Sequence, residues 1–199
     1  MNIVFASPYC LLDNSSGAAI STHTLLAGLR RSGHQVSAFG ATIFDTQAAA
    51  ERGPKPPPKH KPQTFFTADV HGVRHFLLPT RHWRRTLMYA GDQEVMERQF
   101  GAMLDQLRPD AIITYGGMLL ERSFLSTAKS RGILTVFSLV NPGYRNRRTF
   151  KDVDVLVTDS QATADLYRER LGLNLNVIGP LVDPAAYALS RRQPRTVTF

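Results

Sequence analysis

Five small residues, Ser15-Ser16-Gly17-Ala18-Ala19, separate a short apolar run, Ile3-Val4-Phe5-Ala6, from a helix-forming stretch that begins at Ile20. A buried strand that passes through such a loop into a helix leaves backbone N–H groups unpaired at the helix start. Those groups and the helix dipole suit a phosphate or another anion. Gly17 has no Cβ, so a ligand can approach the backbone there. The loop lacks the second glycine of a G-x-G-x-x-G motif and the Lys-Ser/Thr pair of a P-loop, so it points to an anion and to nothing narrower. Cys10 has no candidate base near it in sequence and reads as a small residue beside this loop. His71 and His75 lie four apart, but on an expected strand and turn rather than one helical face, which disfavours a metal pair. His23, His34, His60 and His82 read as structural or surface residues, and Ser160 as a helix cap.

The elements that would position this loop alternate between strand and helix. Strands are expected over 2–7, 35–39, 111–115, 133–140, 153–158 and 176–178, and helices over 18–31, 119–130 and 160–171. Residues 45–64, with Pro54, Pro56, Pro57, Pro58 and Pro62 among lysines, read as an exposed, mobile loop. Apolar runs at 64–68 and 73–78 read as a hairpin with a four-residue connection, Asp69-Val70-His71-Gly72. A helical pattern over 82–107 is expected to break at Gly91 or Gly101. Apolar strands joined by helices give an α/β fold: a Rossmann-like, doubly wound parallel sheet with helices on both faces, plus a β-hairpin insertion. Ligands then sit at the carboxyl ends of the strands. The loop at 7–17, Gly116-Gly117, residues 141–150 and Asp159-Ser160 should share that edge.

Composition bounds the reading. The 199 residues and a 43% hydrophobic fraction suit one well-cored globular domain. No run reaches the roughly 18 to 20 apolar residues of a membrane helix, and the start does not resemble a signal peptide. One cysteine permits no intrachain disulfide, which fits a reducing cytoplasm. The formal charge of +8 favours phosphorylated ligands or an anionic membrane surface. The basic pairs are scattered, without the motifs of a nucleic-acid reader, so no nucleic-acid partner is expected. Phe65, Phe66, Trp83, Arg84 and Arg85 mix apolar anchors with cations; they suit either a membrane-held acceptor or the packing of the hairpin on the sheet. The final Arg195-Thr196-Val197-Thr198-Phe199 reads as a strand that begins a second domain.

Several segments in order resemble the N-terminal domain of GT-B-fold retaining glycosyltransferases, the group 1 or family 4 type. These are Asn2-Ile3-Val4-Phe5 with Gly17, Leu29-Arg30-Arg31-Ser32-Gly33-His34-Gln35-Val36, Arg108-Pro109-Asp110-Ala111-Ile112-Ile113 and Thr135-Val136-Phe137-Ser138-Leu139-Val140-Asn141. Asp152-Val153-Asp154-Val155-Leu156-Val157-Thr158-Asp159-Ser160 and Val177-Ile178-Gly179-Pro180-Leu181-Val182-Asp183 complete the set. The resemblance implies an acceptor-side domain over 1–190, then a linker and the first strand of a missing nucleotide-sugar-binding domain over 191–199. It also implies a cytoplasmic, metal-independent hexosyltransferase with no cofactor, either free or peripheral at the inner face of the membrane. The isolated domain would be inactive. Its partners would be a nucleotide sugar, a glycan, lipid or small-molecule acceptor, and a C-terminal domain of the same protein.

By the same resemblance Ser16, Gly17 and Ala18 would face the donor diphosphate, and Asp13, Tyr144 and Arg145 would line the acceptor side. Asn141 stands near the position where relatives place a histidine against the transferred sugar. An amide donates a hydrogen bond but is no general base near neutral pH. The resemblance allows transfer all the same, because the leaving diphosphate can act as the base. Two rival readings remain open: a catalytically silent GT-B relative, and a stand-alone Rossmann-like module that binds an anion or nucleotide.

Overall fold

The computed structural model describes residues 1–88, 90–116 and 119–179. Eight strands form one sheet in the order β3-β4-β2-β1-β5-β6-β7-β8. They are β1 (Asn2–Ala6), β2 (Gln35–Ala41), β3 (Phe66–Val70), β4 (Val73–Leu78), β5 (Ala111–Thr114), β6 (Leu134–Ser138), β7 (Val155–Thr158) and β8 (Asn176–Val177). Every pairing is parallel except β3 with β4. The helices are α1 (Gly17–Arg31), α2 (Gln47–Arg52), α3 (Ala90–Leu107), α4 (Leu119–Lys129) and α5 (Gln161–Leu171). The expected Rossmann-like α/β sheet is therefore present.

Both faces are covered, which is why the central strands carry unbroken apolar runs. On one face Leu26 and Ala19 of α1 pack on Ile3, Phe5 and Val36. On the other, α3, α4 and α5 close a larger core around Val4, Phe39, Ile112 and Phe137. Within it the Phe100 ring lies 4.5 Å from Phe124 and 5.4 Å from Phe39, so three elements share one aromatic contact.

Several local expectations are corrected. Residues 45–64 are not wholly an exposed loop. The Thr46 hydroxyl accepts from the Ala49 N–H at 3.2 Å, capping α2, and Ala49 and Ala50 are buried with Phe44, Phe66 and Leu77. The alanine run is helix-forming and small enough to pack flat, which outweighs the prolines behind it. The hairpin connection has two residues rather than four, since Asp69 and Val70 pair with Arg74 and Val73. His71 and Gly72 both take positive φ, 50° and 75°, as a tight I′-type turn requires. Helix α3 runs unbroken through Gly91 and Gly101 because its buried face, from Val95 to Leu104, holds it to the sheet. The expected hairpin itself is present, and its β4 continues the parallel sheet beside β2.

The chain winds from β1 outward to β4, then returns through α3 to β5 on the other side of β1. The connections after β1 and β5 thus leave in opposite directions, opening a crevice between those strand ends.

Candidate functional site

That crevice is a cleft of about 580 Å³. Its floor is Phe5, Ile113 and Tyr115, and one wall is the start of α1, with Ser16, Gly17, Ala18 and Ser21. Asp45 after β2, Ser138 and Asn141 at the end of β6, Tyr144 and Asp159 complete it. The carboxyl ends of β1, β2, β5, β6 and β7 therefore converge here.

The α1 start is open. Ser16 has the extended backbone of an N-cap, φ −101° and ψ 116°, yet its hydroxyl caps nothing. By contrast Ser160 accepts from the Thr163 N–H and closes the start of α5. The first α1 amide with an acceptor inside the helix is that of Ile20, which donates to the Ser16 carbonyl. A Cβ placed on Gly17 would meet nothing within 4 Å. Neither packing nor backbone strain demands glycine there, and glycine costs helix stability. What its bareness provides is unobstructed access to the amides behind it.

The predicted site residues divide. Ser16, Gly17, Ala18, Asn141 and Tyr144 all line the cleft, whereas Asp13 and Arg145 do not. Asp13 is buried, at 3% exposure. One carboxylate oxygen accepts from the Ser15 N–H and hydroxyl at 2.8 and 2.6 Å, and the other accepts from the Asp45 N–H at 2.7 Å. It ties the loop after β1 to the loop after β2. Arg145 is exposed on the loop beyond the cleft wall. Of the aromatic-basic set, Phe66 is buried and Phe65 packs edge-on to Phe76, with Arg84 over the Trp83 ring, so the aromatics pack the hairpin side. Gly117 and residues 180–199 lie outside the described residues.

Asn141 is partly committed. Its side-chain carbonyl accepts from the Gly143 N–H at 2.8 Å, closing a local turn and leaving the NH₂ end as the group free to meet a ligand. The buried Tyr167 hydroxyl fixes the same loop. It donates to the Asn141 carbonyl at 2.5 Å and accepts from the Tyr144 N–H at 3.1 Å. Tyr144 packs edge-on against Phe137 and Phe150. Burial, the largest influence, pushes its hydroxyl up to about 12. Burial likewise raises Tyr115, against a hydrogen bond to Ser7. Both phenols stay protonated near neutral pH and act as donors. Cys10, buried behind the loop and pushed up to about 12, remains a thiol and is no nucleophile.

Asp45, Ser138, Tyr115 and Tyr9 line the cleft without having been singled out from the sequence. Their signal is position, since each lies at or just beyond a strand's carboxyl end. No described lining residue is lysine or arginine, so the cleft offers carboxylates, hydroxyls, one amide and open helix N–H groups. Carboxylates and hydroxyls match the hydroxyls of a sugar, and the helix start matches an anion. In the lining Val140 and Ile178 are unusually bare, at 49 and 47% exposure, and Ile20 and Leu119, in the first turns of α1 and α4, stand at 52 and 77%.

A doubly wound sheet with a ligand crevice at its switch point is the architecture of a nucleotide-type binding domain. The sequence profile of Glycosyltransferase Family 4 matches residues 15–186, and the chain belongs to that family, with the fold of a GT-B N-terminal domain. Among solved structures it is similar to the UDP-GlcNAc 2-epimerase of Methanocaldococcus jannaschii. The TM-score is 0.51 at 14% identity, covering 90% of this chain and 45% of that one. It is also similar to LpCGTa, solved in complex with UDP: TM-score 0.51, 14% identity, 100% of this chain and 61% of that one. The chain therefore spans less than two thirds of either. No curated protein sequence matches it. Among the described residues, no helix is long and apolar enough to cross a membrane.

Proposed function

We propose that this chain forms one wall of the active site of a glycosyltransferase that moves a sugar from a nucleotide donor to an acceptor hydroxyl with retention. The open α1 start carries the reading. The Gly17–Ala19 amides would receive the donor diphosphate, and the opposing wall would supply the cations that this cleft lacks. Asp45 and Asp159 would accept from hydroxyls of the transferred sugar or acceptor, while the Asn141 NH₂ and the Tyr144 hydroxyl donate to them. With its carbonyl engaged by Gly143, Asn141 orients a ligand and takes no proton. The leaving diphosphate would then serve as base, and the chemistry calls on no metal. The family match and the likeness to a fold that holds UDP in LpCGTa support this reading.

The test is a titration of the chain with UDP and UDP-sugars, followed by backbone amide NMR. Shifts concentrated at residues 17–19 are expected, and Gly17→Asp should weaken binding about tenfold or more by placing a carboxylate against the phosphates. Because a Cβ at this position meets no protein atom within 4 Å, the fold should survive. Absence of any response at residues 17–19 to millimolar nucleotide would overturn the assignment.

A second reading has one observation behind it. The end of β6 presents Val140 and Asn141 where relatives place a histidine, which suits a silent member of the family. Donor binding without transfer or hydrolysis by the full-length protein would select it.

A further inference from the structure

Three histidines, one from α1 and two from the hairpin, meet behind the cleft wall. His23 lies midway along α1, His75 in the centre of β4 and His71 in the hairpin turn. The His23 ring stacks on His75 with centroids 5.3 Å apart and planes 11° apart, and meets the edge of His71 at 5.2 Å. His75 is fully buried. Neither of its ring nitrogens has a hydrogen-bond partner among the described residues, and nor does Nε2 of His23. No three His, Cys, Asp or Glu side chains among those residues are placed to hold a metal ion. The rings meet as apolar plates, a contact that neutral imidazoles make and imidazolium ions oppose.

The cluster's surroundings do little to neutralise a proton there. From β2 and β3 the residues beside His75 are Ala38 and Ala68. Asp69 on β3 is the one carboxylate whose charge reaches His75, and it already pairs with Arg74 at 3.2 Å. Helix α1 adds Arg30, which donates to the Gly72 carbonyl at 3.3 Å and brings further positive charge to the turn.

We infer that the His23–His75–His71 cluster is a proton-operated clasp: neutral rings hold α1 to the hairpin, and proton uptake in mild acid loosens that contact and with it the wall of the cleft. Burial, then mutual repulsion, keeps His75 and His23 below the ordinary imidazole range, so the clasp is shut at neutral pH. Opening hydrates the rings and raises their proton affinity, so acid favours the open form.

Hydrogen exchange of the full chain, read by mass spectrometry at about pH 5 and about pH 7.5 and scaled for intrinsic chemistry, tests this. Peptides from α1 and the hairpin should lose protection about tenfold in acid relative to peptides from α3 and α4, and His75→Phe should abolish the difference. Where that variant fails to fold, His23→Phe takes its place, and NMR titration of the wild-type histidines gives a second readout. Uniform loss of protection across the chain, the same acid response in the variants, or ordinary titration of His23 and His75 would each overturn the clasp. So would a zinc-dependent rise in melting temperature that His75→Phe removes, since the cluster would then be a metal site. The measurement needs no ligand in the cleft, so it stands apart from the function proposed above.

Discussion

Asp13 offers the most direct check on how the cleft is built. Its two oxygens are divided between loops, one on the Ser15 N–H and hydroxyl and the other on the Asp45 N–H. Asp13→Asn keeps the shape but makes one end a donor, so either Ser15 or Asp45 faces an NH₂ group. Asp13→Ala leaves both backbone amides unpaired. A hydrogen bond to a charged group contributes about 1.5 to 3 kcal/mol, and an orphaned, partly buried amide costs about 1 to 3 kcal/mol. The Ser15 hydroxyl is exposed and recovers water, so we count only the two amides. The expected losses are about 2 kcal/mol for Asn and about 3 kcal/mol for Ala. With a urea dependence of about 2 kcal/mol per molar, the Ala midpoint falls by about 1.5 M. Urea unfolding followed by circular dichroism measures it. If both variants unfold within about 0.3 M of the parent, the latch contributes nothing and the account of how the two loops are held is wrong.

Other positions give sharper yes-or-no outcomes. Tyr167→Phe removes one hydroxyl that serves two backbone groups of the cleft loop, and should cost about 1 to 3 kcal/mol in urea unfolding while raising exchange at the Tyr144 amide. Gly40→Ala would set a Cβ 2.6 Å from the Tyr9 carbonyl oxygen, so β2 and the first loop must part; a loss of about 1 to 3 kcal/mol is expected by the same assay. Acid should weaken the fold through His75, whose folded value lies at about 4 against the ordinary 6.5. Below 6.5 the unfolded chain takes up a proton that the folded chain refuses until about 4. Stability is therefore intact above 6.5 and falls by about 3 kcal/mol through that window, a slope that His75→Phe should remove from urea midpoints measured across it.

The sheet was legible because its inner strands carry uninterrupted apolar residues, and the cleft because a small-residue loop follows the first of them. Asp159 was placed correctly by the rule that loops after parallel strands share an edge. The role of Asp13 was not legible, since its partner Asp45 is brought near only when β2 lies beside β1. The length of α3 escaped because Gly91 and Gly101 break an isolated helix more readily than one held along a buried face. Helix α2 escaped because a six-residue helix has too few turns to show a period. The histidine cluster was invisible for a broader reason: its members come from a helix, a strand and a turn, and only tertiary packing of α1 on the hairpin makes them neighbours.

Val140 and Ile178 line the cleft with bare apolar side chains, and Ile20 and Leu119, in the first turns of α1 and α4, are barer still. Apolar side chains left bare at a crevice are sticky. At high concentration copies will meet there and occlude the crevice, so ligand titrations of the isolated chain will read weaker as protein concentration climbs. Dilution, or a charge introduced at Ile178, restores an accessible cleft.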